Sequence, residues 1–215
     1  MSRKTKAVIF DMDGVLIDSE AYWNAVNSFE MYGHVFTEEM ERSIIGLNHR
    51  DMIAVLENNY GLGIDVDEVH KKEDYFGERI YGAQTQLCEG VSALIERLHS
   101  SGILLAVASS SQTKWIDMVL ERFGIREKFH TVLSTTTNNL PGKPQPDVYT
   151  LAMKALGVLP METVIIEDSH YGFTAAKASG ARVIAVPHAL TNHYDFTSAD
   201  LLVETLVDER VIKFL

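Results

Sequence analysis

The chain has 215 residues, 46% of them hydrophobic, and sets 30 acidic against 19 basic side chains for a formal net charge of −11. That length allows one large domain or a core with an insertion, and the apolar fraction is ordinary for a globular protein. The charge argues against nucleic acid, whose recognition needs a basic footprint, and it repels anions at long range, so any phosphate site must supply its own positive charge.

No apolar run approaches the roughly 20 residues that a membrane span needs. The basic start, Met1 to Lys6, is followed by four apolar residues and then an acid, which is not a signal-peptide pattern. Cys88 is the single cysteine, so no internal disulfide can form, and no pattern of partners around it marks a reactive thiol. The expected setting is cytoplasmic, as a monomer or weak dimer without nucleic-acid or membrane partners.

In chain order, Ala7-Val8-Ile9-Phe10 reads as a short buried strand ending on Asp11 and Asp13, followed by Gly14. At a strand end the chain leaves the alternating pleat, so both carboxylates can lean over the same edge, and Gly14 permits the sharp turn. Two acids this close repel unless a cation sits there, and a hard divalent ion such as Mg²⁺ takes oxygen ligands of this kind. Ser19 reads as an N-cap, with Tyr22, Val26 and Phe29 at helical spacing, Trp23 beside them, and Gly33 closing the segment. Thr37 to Ile45 reads as a short helix and Gly46-Leu47-Asn48 as a break. Arg50 to Tyr60 reads as a helix with Met52, Ile53 and Leu56 inward. Asp65 looks like the cap of a charged helix running to about Tyr81. Residues 18–85 are thus expected to form an all-helical insertion of roughly four helices between the first strand and the rest, leaving 1–17 and 86–215 as the core.

From Glu89 onward strands and helices alternate. Val91 to Leu98 marks a helix stopped by Gly102, Ile103 to Ala108 a buried strand running into Ser109-Ser110-Ser111, and Ile116 to Phe123 a helix stopped by Gly124. His130 to Leu133 is a short strand, and Pro146 to Leu156 a helix ended by Gly157. Thr163 to Ile166 is a strand capped by Glu167-Asp168-Ser169, and a small-residue helix then runs to Ser179. Val183 to Val186 is another strand, with Leu201-Leu202-Val203 a candidate sixth. Apolar strands alternating with helices imply a Rossmann-like α/β core: a parallel sheet covered on both faces. Right-handed crossovers bring the strand carboxyl ends to one edge, where ligands bind in open α/β sheets.

That edge collects Asp11, Asp13, Ser109 to Ser111 and Glu167 to Ser169, and the loop Leu140 to Asp147 adds Lys143 in a proline- and glycine-shaped turn. Read singly, each has an ordinary counterpart: an Asp-Gly turn, a serine N-cap, a solvated loop lysine, a polar loop. Together they suit phosphoryl transfer. A carboxylate can serve as nucleophile, and a second can protonate the leaving oxygen and then activate water. Hydroxyls and turn amides can hold phosphate oxygens, while lysine and Mg²⁺ neutralise the transferring group.

The same residues resemble the four motifs of the haloacid dehalogenase-like hydrolases. Asp11-Met12-Asp13-Gly14-Val15 is similar to the first, in its phosphatase form, and Ser109 to the second. Lys143 in Gly142-Lys143-Pro144-x-Pro146-Asp147 is similar to the third, and Glu167-Asp168-Ser169-x-x-Gly172 to the fourth. The resemblance spans nearly the whole chain, with the helical insertion where the family places a cap. It implies Asp11 as nucleophile and Asp13 as general acid and base. It also implies Mg²⁺ held by Asp11, the Asp13 backbone carbonyl and Asp168, with Glu167 a ligand or just behind them, and a phosphate gripped by Ser109, Ser110 and Lys143. The implied reaction is hydrolysis of a small phosphorylated metabolite.

Within the family, Asp13 argues against dehalogenases, which lack the second acid, and the absence of lysine from Ala21 to Phe29 departs from the phosphonatase pattern. Sugar phosphomutases, the nearest alternative, commonly carry histidine where Trp23 stands and arginine where His49 stands. Asp18-Ser19-Glu20-x-x-Trp23 with Gly46-Leu47 and Asp51-Met52 instead resembles bacterial hexose-phosphate and 2-deoxyglucose-6-phosphate phosphatases. The expected substrate contacts from the cap are Glu20, Trp23, Asn48, His49 and Arg50, with Trp23 either cap core or a wall for the sugar. His170 reads as a rim residue of the site, and His188 and His193 as surface. The least favoured reading is a non-catalytic binding module on the same fold.

Overall fold

The computed structural model describes residues 4–26, 28–44, 47 and 49–215. Its centre is β1 (Ala7–Phe10), four apolar residues that are wholly buried because strands pair on both sides of them. The parallel sheet also contains β2 (Leu104–Ser109), β3 (Thr131–Ser134), β4 (Thr163–Glu167), β5 (Arg182–Ala185) and β6 (Leu201–Leu202), in the order β3-β2-β1-β4-β5-β6. Val8 pairs with Leu105 and Val164, so the ends of β1, β2 and β4 lie level with one another. The strand order reverses between β1 and β4, and the crevice there is where an open α/β sheet binds its ligand.

Strand alternation sends side chains to two cores. Val8, Phe10, Leu105, Val107, Val164 and Ile166 pack on one face, under α6 (Val91–Ser100), α7 (Thr113–Arg122) and α10 (Glu209–Phe214). Ile9, Ala106, Ala108 and Ile165 pack on the other, under α8 (Asp147–Leu156) and α9 (His170–Ala178). A near-continuous apolar strand is the outcome of helices on both sides.

Between β1 and α6, the described residues carry α1 (Ser19–Ala25), α2 (Ser28–Tyr32), α3 (Glu38–Ile44), α4 (His49–Tyr60) and α5 (Val66–Arg79), and α5 continues into a π-helical turn over Ile80–Gln84. Asp65 caps α5 by accepting from the Glu68 amide at 3.1 Å. These helices surround their own cluster of Met31, Tyr32, Phe36, Ile44, Ile53, Leu56, Ile64 and Val69. The two connections to the sheet clasp each other: Ile17 bridges Leu87, and Asp18 and Gln86 exchange hydrogen bonds of 3.1 and 2.6 Å.

The single helix expected from Ser19 through Phe29 is two. Val26 takes an extended conformation (ψ 106°) that ends α1, and Phe29 is 59% exposed instead of inward. Asp18 occupies the cap position, and Ser19 is the first helical residue with its hydroxyl turned to the site. The expected break at Gly46 and Asn48 lies outside the described residues. Leu56 is fully buried at the middle of the helical cluster, and Leu56→Ala should cost about 2–5 kcal/mol through lost burial and the cavity left. Urea unfolding of the two proteins measures it.

Candidate active site

Asp11 follows β1 directly and Glu167 ends β4, so the sheet register alone brings two buried acids together. Lys143, 3% exposed, reaches between them and donates to Asp11 Oδ1 at 2.6 Å and to Glu167 Oε1 at 2.7 Å. Burial opposes the lysine's charge, but the Asp11 and Glu167 carboxylates outweigh burial and hold the ammonium above its ordinary value. Burial pushes the Asp11 carboxyl well up, Lys143 pulls against that, and Glu167, Asp168 and Asp13 add to the rise.

Glu167 is saturated with donors. Oε1 also accepts from the Tyr149 hydroxyl, and Oε2 accepts from the Asp168 and Ser169 amides at 3.0 and 3.2 Å and from Ser169 Oγ at 3.2 Å. Burial and the Glu167 charge keep the Tyr149 hydroxyl protonated, and so a donor. Gly172, in α9, is what admits this carboxylate: a Cβ there would stand 1.9 Å from Glu167 Oε1. Gly14 has both reasons to be glycine, a φ of +82° and a Cβ position 2.4 Å from Asp168 Oδ2.

Oxygens of Asp11, Glu167 and Asp168 lie within 4.8 Å of one another. Asp168 Oδ1 is buried, and among the described residues it has no hydrogen-bond partner. Asp168 Oδ2 meets His188 Nε2 at 2.9 Å. An all-oxygen set with one orphaned carboxylate oxygen fits a hard divalent cation. Burial pushes the Asp168 carboxyl well up, with the Glu167 charge next, and Lys143 pulls against them.

The Asp13 side chain turns away from this cluster toward hydroxyls. Oδ1 accepts from Ser19 Oγ at 2.5 Å and Tyr81 Oη at 2.9 Å, and Oδ2 accepts from Ser111 Oγ at 2.7 Å and Ser109 Oγ at 3.5 Å. Trp23 Nε1 donates to the Tyr81 hydroxyl at 2.9 Å, tying α1 to the π-helical turn. Ser110 Oγ is buried and, among the described residues, without a partner.

A cavity of about 990 Å³ opens over these groups, lined by Asp11, Asp13, Ser109, Ser110 and Lys143 on the sheet side and by Glu20, Trp23 and Arg50 on the helical side. Burial, then the charges of Asp168 and Asp13, push the Glu20 carboxyl up to about 8. Arg50 extends to Leu140 O at 3.3 Å and Asn139 Oδ1 at 3.5 Å, on the loop that leads to Lys143. The Tyr194 hydroxyl donates to Arg42 O at 2.9 Å, and Lys114 pairs with Asp74. Asn48 lies outside the described residues, as does the side chain of His49.

His188 is not the surface residue expected: its side chain is 28% exposed and holds Asp168. Burial keeps its imidazole below the ordinary value, against the pull of Glu20. His170 stacks on Tyr194 with centroids 5.1 Å apart. Tyr81, Ser111 and Tyr149 were also not singled out as site residues; Ser111 alone left a trace, as the third member of the serine run. Burial first, then nearby acids, pushes the Cys88 thiol up to about 12, in keeping with a quiet residue.

A family model for the haloacid dehalogenase-like hydrolases matches residues 8–186. Phosphorylated carbohydrates phosphatase of Thermotoga maritima is 33% identical over 190 residues, 87% of this chain and 88% of that one. Hexitol phosphatase B of Escherichia coli is 31% identical over 224 residues, covering 96% of this chain and 95% of its own. Among solved structures, CbbY from Rhodobacter sphaeroides in complex with phosphate is similar with a TM-score of 0.81 at 28% identity, over 95% of this chain and 96% of that chain.

Lys143→Met leaves two buried carboxylates facing each other and should destabilise the fold by about 3–5 kcal/mol near neutral pH. Because the Asp11 pKa is raised in the fold, the penalty appears as pH rises through it and shrinks as pH falls and the carboxyl takes up its proton. Urea midpoints of both proteins across pH test the sign.

Proposed function

The chain belongs to the haloacid dehalogenase-like hydrolases, and from that premise we propose that this phosphatase hydrolyses sugar or polyol monophosphates by way of a phosphorylated Asp11. The observation that carries the reading is the Asp11 carboxylate beside Lys143 at 2.6 Å, at the floor of a cavity large enough for a hexose phosphate. The Asp11 carboxylate attacks phosphorus while the phosphate oxygens rest on Lys143 and the hydroxyls of Ser109 and Ser110; the unpartnered Ser110 Oγ is a donor suited to one of them. Asp13 gives its proton to the departing sugar oxygen, then takes one from the water that releases phosphate from Asp11. The hydroxyls of Ser19, Tyr81 and Ser111 hold Asp13 for both transfers. Glu167, with both oxygens occupied, orients Lys143 and the strand end.

A divalent cation, Mg²⁺ by the hardness of the ligands, would be held by Asp11, Asp168 and the Asp13 backbone carbonyl and would offset the repulsion between a carboxylate and a phosphate. Residues 18–85 act as the cap, covering the reacting groups and excluding water during phosphorylation of Asp11.

Several features support a neutral sugar or polyol carrying one phosphate. Arg42, Arg50 and Lys114 reach the cavity but are engaged already, Arg42 by Glu38 at 2.5 Å, Arg50 by Asp51 at 3.5 Å and Lys114 by Asp74. Glu20, its carboxyl held up to about 8 and so protonated near neutral pH, can exchange hydrogen bonds with substrate hydroxyls, and Glu73 and Asp74 on the cap side can accept from them. Trp23 offers an apolar wall. The phosphatases of Thermotoga maritima and Escherichia coli, named for phosphorylated carbohydrates and hexitols, point the same way.

Phosphate release over a panel of hexose, pentose and polyol phosphates with Mg²⁺ tests the reading. Release is expected from monophosphates, with bisphosphates poorer, and it should stop with EDTA. Asp11→Asn should lower turnover on the order of 10⁴-fold or more while the circular dichroism spectrum is kept. Interconversion of glucose 1- and 6-phosphates that needs a bisphosphate, without net phosphate release, would assign a phosphomutase instead.

A further inference from the structure

The loop after β5 contributes a side chain that the reaction above does not use. His188 lies in the turn from Pro187 to Asn192, where its carbonyl accepts from the Thr191 and Asn192 amides at 2.9 and 2.8 Å and its amide donates to Thr191 Oγ1 at 3.0 Å. Thr191 is fully buried, so the turn is anchored and the histidine's backbone with it. The ring is anchored separately: the Leu190 amide donates to Nδ1 at 3.2 Å. A nitrogen that accepts a backbone N–H carries no proton, so the proton of the neutral ring sits on Nε2. Nε2 is the atom 2.9 Å from Asp168 Oδ2.

We propose that His188 is a positioning residue for the cation site: its Nε2–H occupies Asp168 Oδ2 and so presents Oδ1 to the divalent ion. The proposal rests on the reading of Asp168 as a metal ligand. Two observations converge on it. The Gly14 backbone packs against the same carboxylate so closely that a Cβ there would stand 2.4 Å from Oδ2, the oxygen that the imidazole also holds. The oxygen left over, Oδ1, is buried and, among the described residues, unpartnered. A carboxylate with one oxygen fixed by a donor and the other left open is pre-oriented, and loss of such a supporting hydrogen bond typically weakens metal affinity 10- to 100-fold.

The test is calorimetric titration of Mg²⁺ and Mn²⁺ into metal-stripped protein, comparing wild type with His188→Phe, which keeps ring volume without the donor, and His188→Gln, which keeps an N–H. Thermal unfolding in EDTA reports whether each variant is folded. The expected result is a Kd raised 10- to 100-fold in His188→Phe and largely recovered in His188→Gln. A Kd within about twofold of wild type for His188→Phe overturns the inference and leaves the phosphatase reading standing. Failure of the wild type to bind either ion overturns both, and so is told apart from the first outcome. Imidazole ¹⁵N shifts of wild-type His188 need no variant: a protonated Nε2 with a bare Nδ1 supports the inference, and the opposite tautomer or an imidazolium ends it.

Discussion

Lys143 carries its ammonium into the interior between Asp11 and Glu167, and without it β1 and β4 would end on like charges buried side by side. Desolvating a lysine and two acids is costly, and attraction offsets that cost only when the remaining lone pairs are satisfied. Tyr149, Ser169 and the amides following β4 do this for Glu167. Among the described residues, Asp11 is left with fewer partners than Glu167. The parallel register sets these strand ends level, and that is what brings the buried charges together.

Above this floor the two carboxylates of the first loop have opposite surroundings. Asp11 faces a cation and other acids, while Asp13, two residues on, faces the hydroxyls of Ser19, Tyr81 and Ser111. One residue between them at a strand end, with Gly14 turning the chain behind, is enough to send them into different environments. Two chemically identical side chains are thereby held in unlike surroundings.

Much of this was readable in the amino-acid order because the signals are local. An apolar run that stops on an acid marks a buried strand end, as at Phe10-Asp11 and Ile166-Glu167, and alternation with helices places all such ends on one edge. Gly172 stood out beside Glu167-Asp168-Ser169, but its reason, room for the Glu167 carboxylate, exists only in space. His188, Tyr81 and Tyr149 were illegible for a common cause: each acts across the sheet or the helical layer on a partner 18 to 68 positions away, and nothing in their neighbourhood foretells it. The break at Val26 was hidden because apolar spacing continues through it while the backbone does not.

The clasp between Ile17 and Leu87, with Asp18 and Gln86 beside it, has an architectural consequence. The chain leaves the sheet and returns to it at a single point, so the intervening helices form an insert with one paired entry and exit, and contacts such as Tyr81 to Asp13 and Arg50 to Leu140 hold it against the core. Such an insert adds little closure entropy to the fold that hosts it, and its length and sequence can drift without disturbing strand order. The paired entry and exit mark the seam along which such an insert could be exchanged while the sheet is kept.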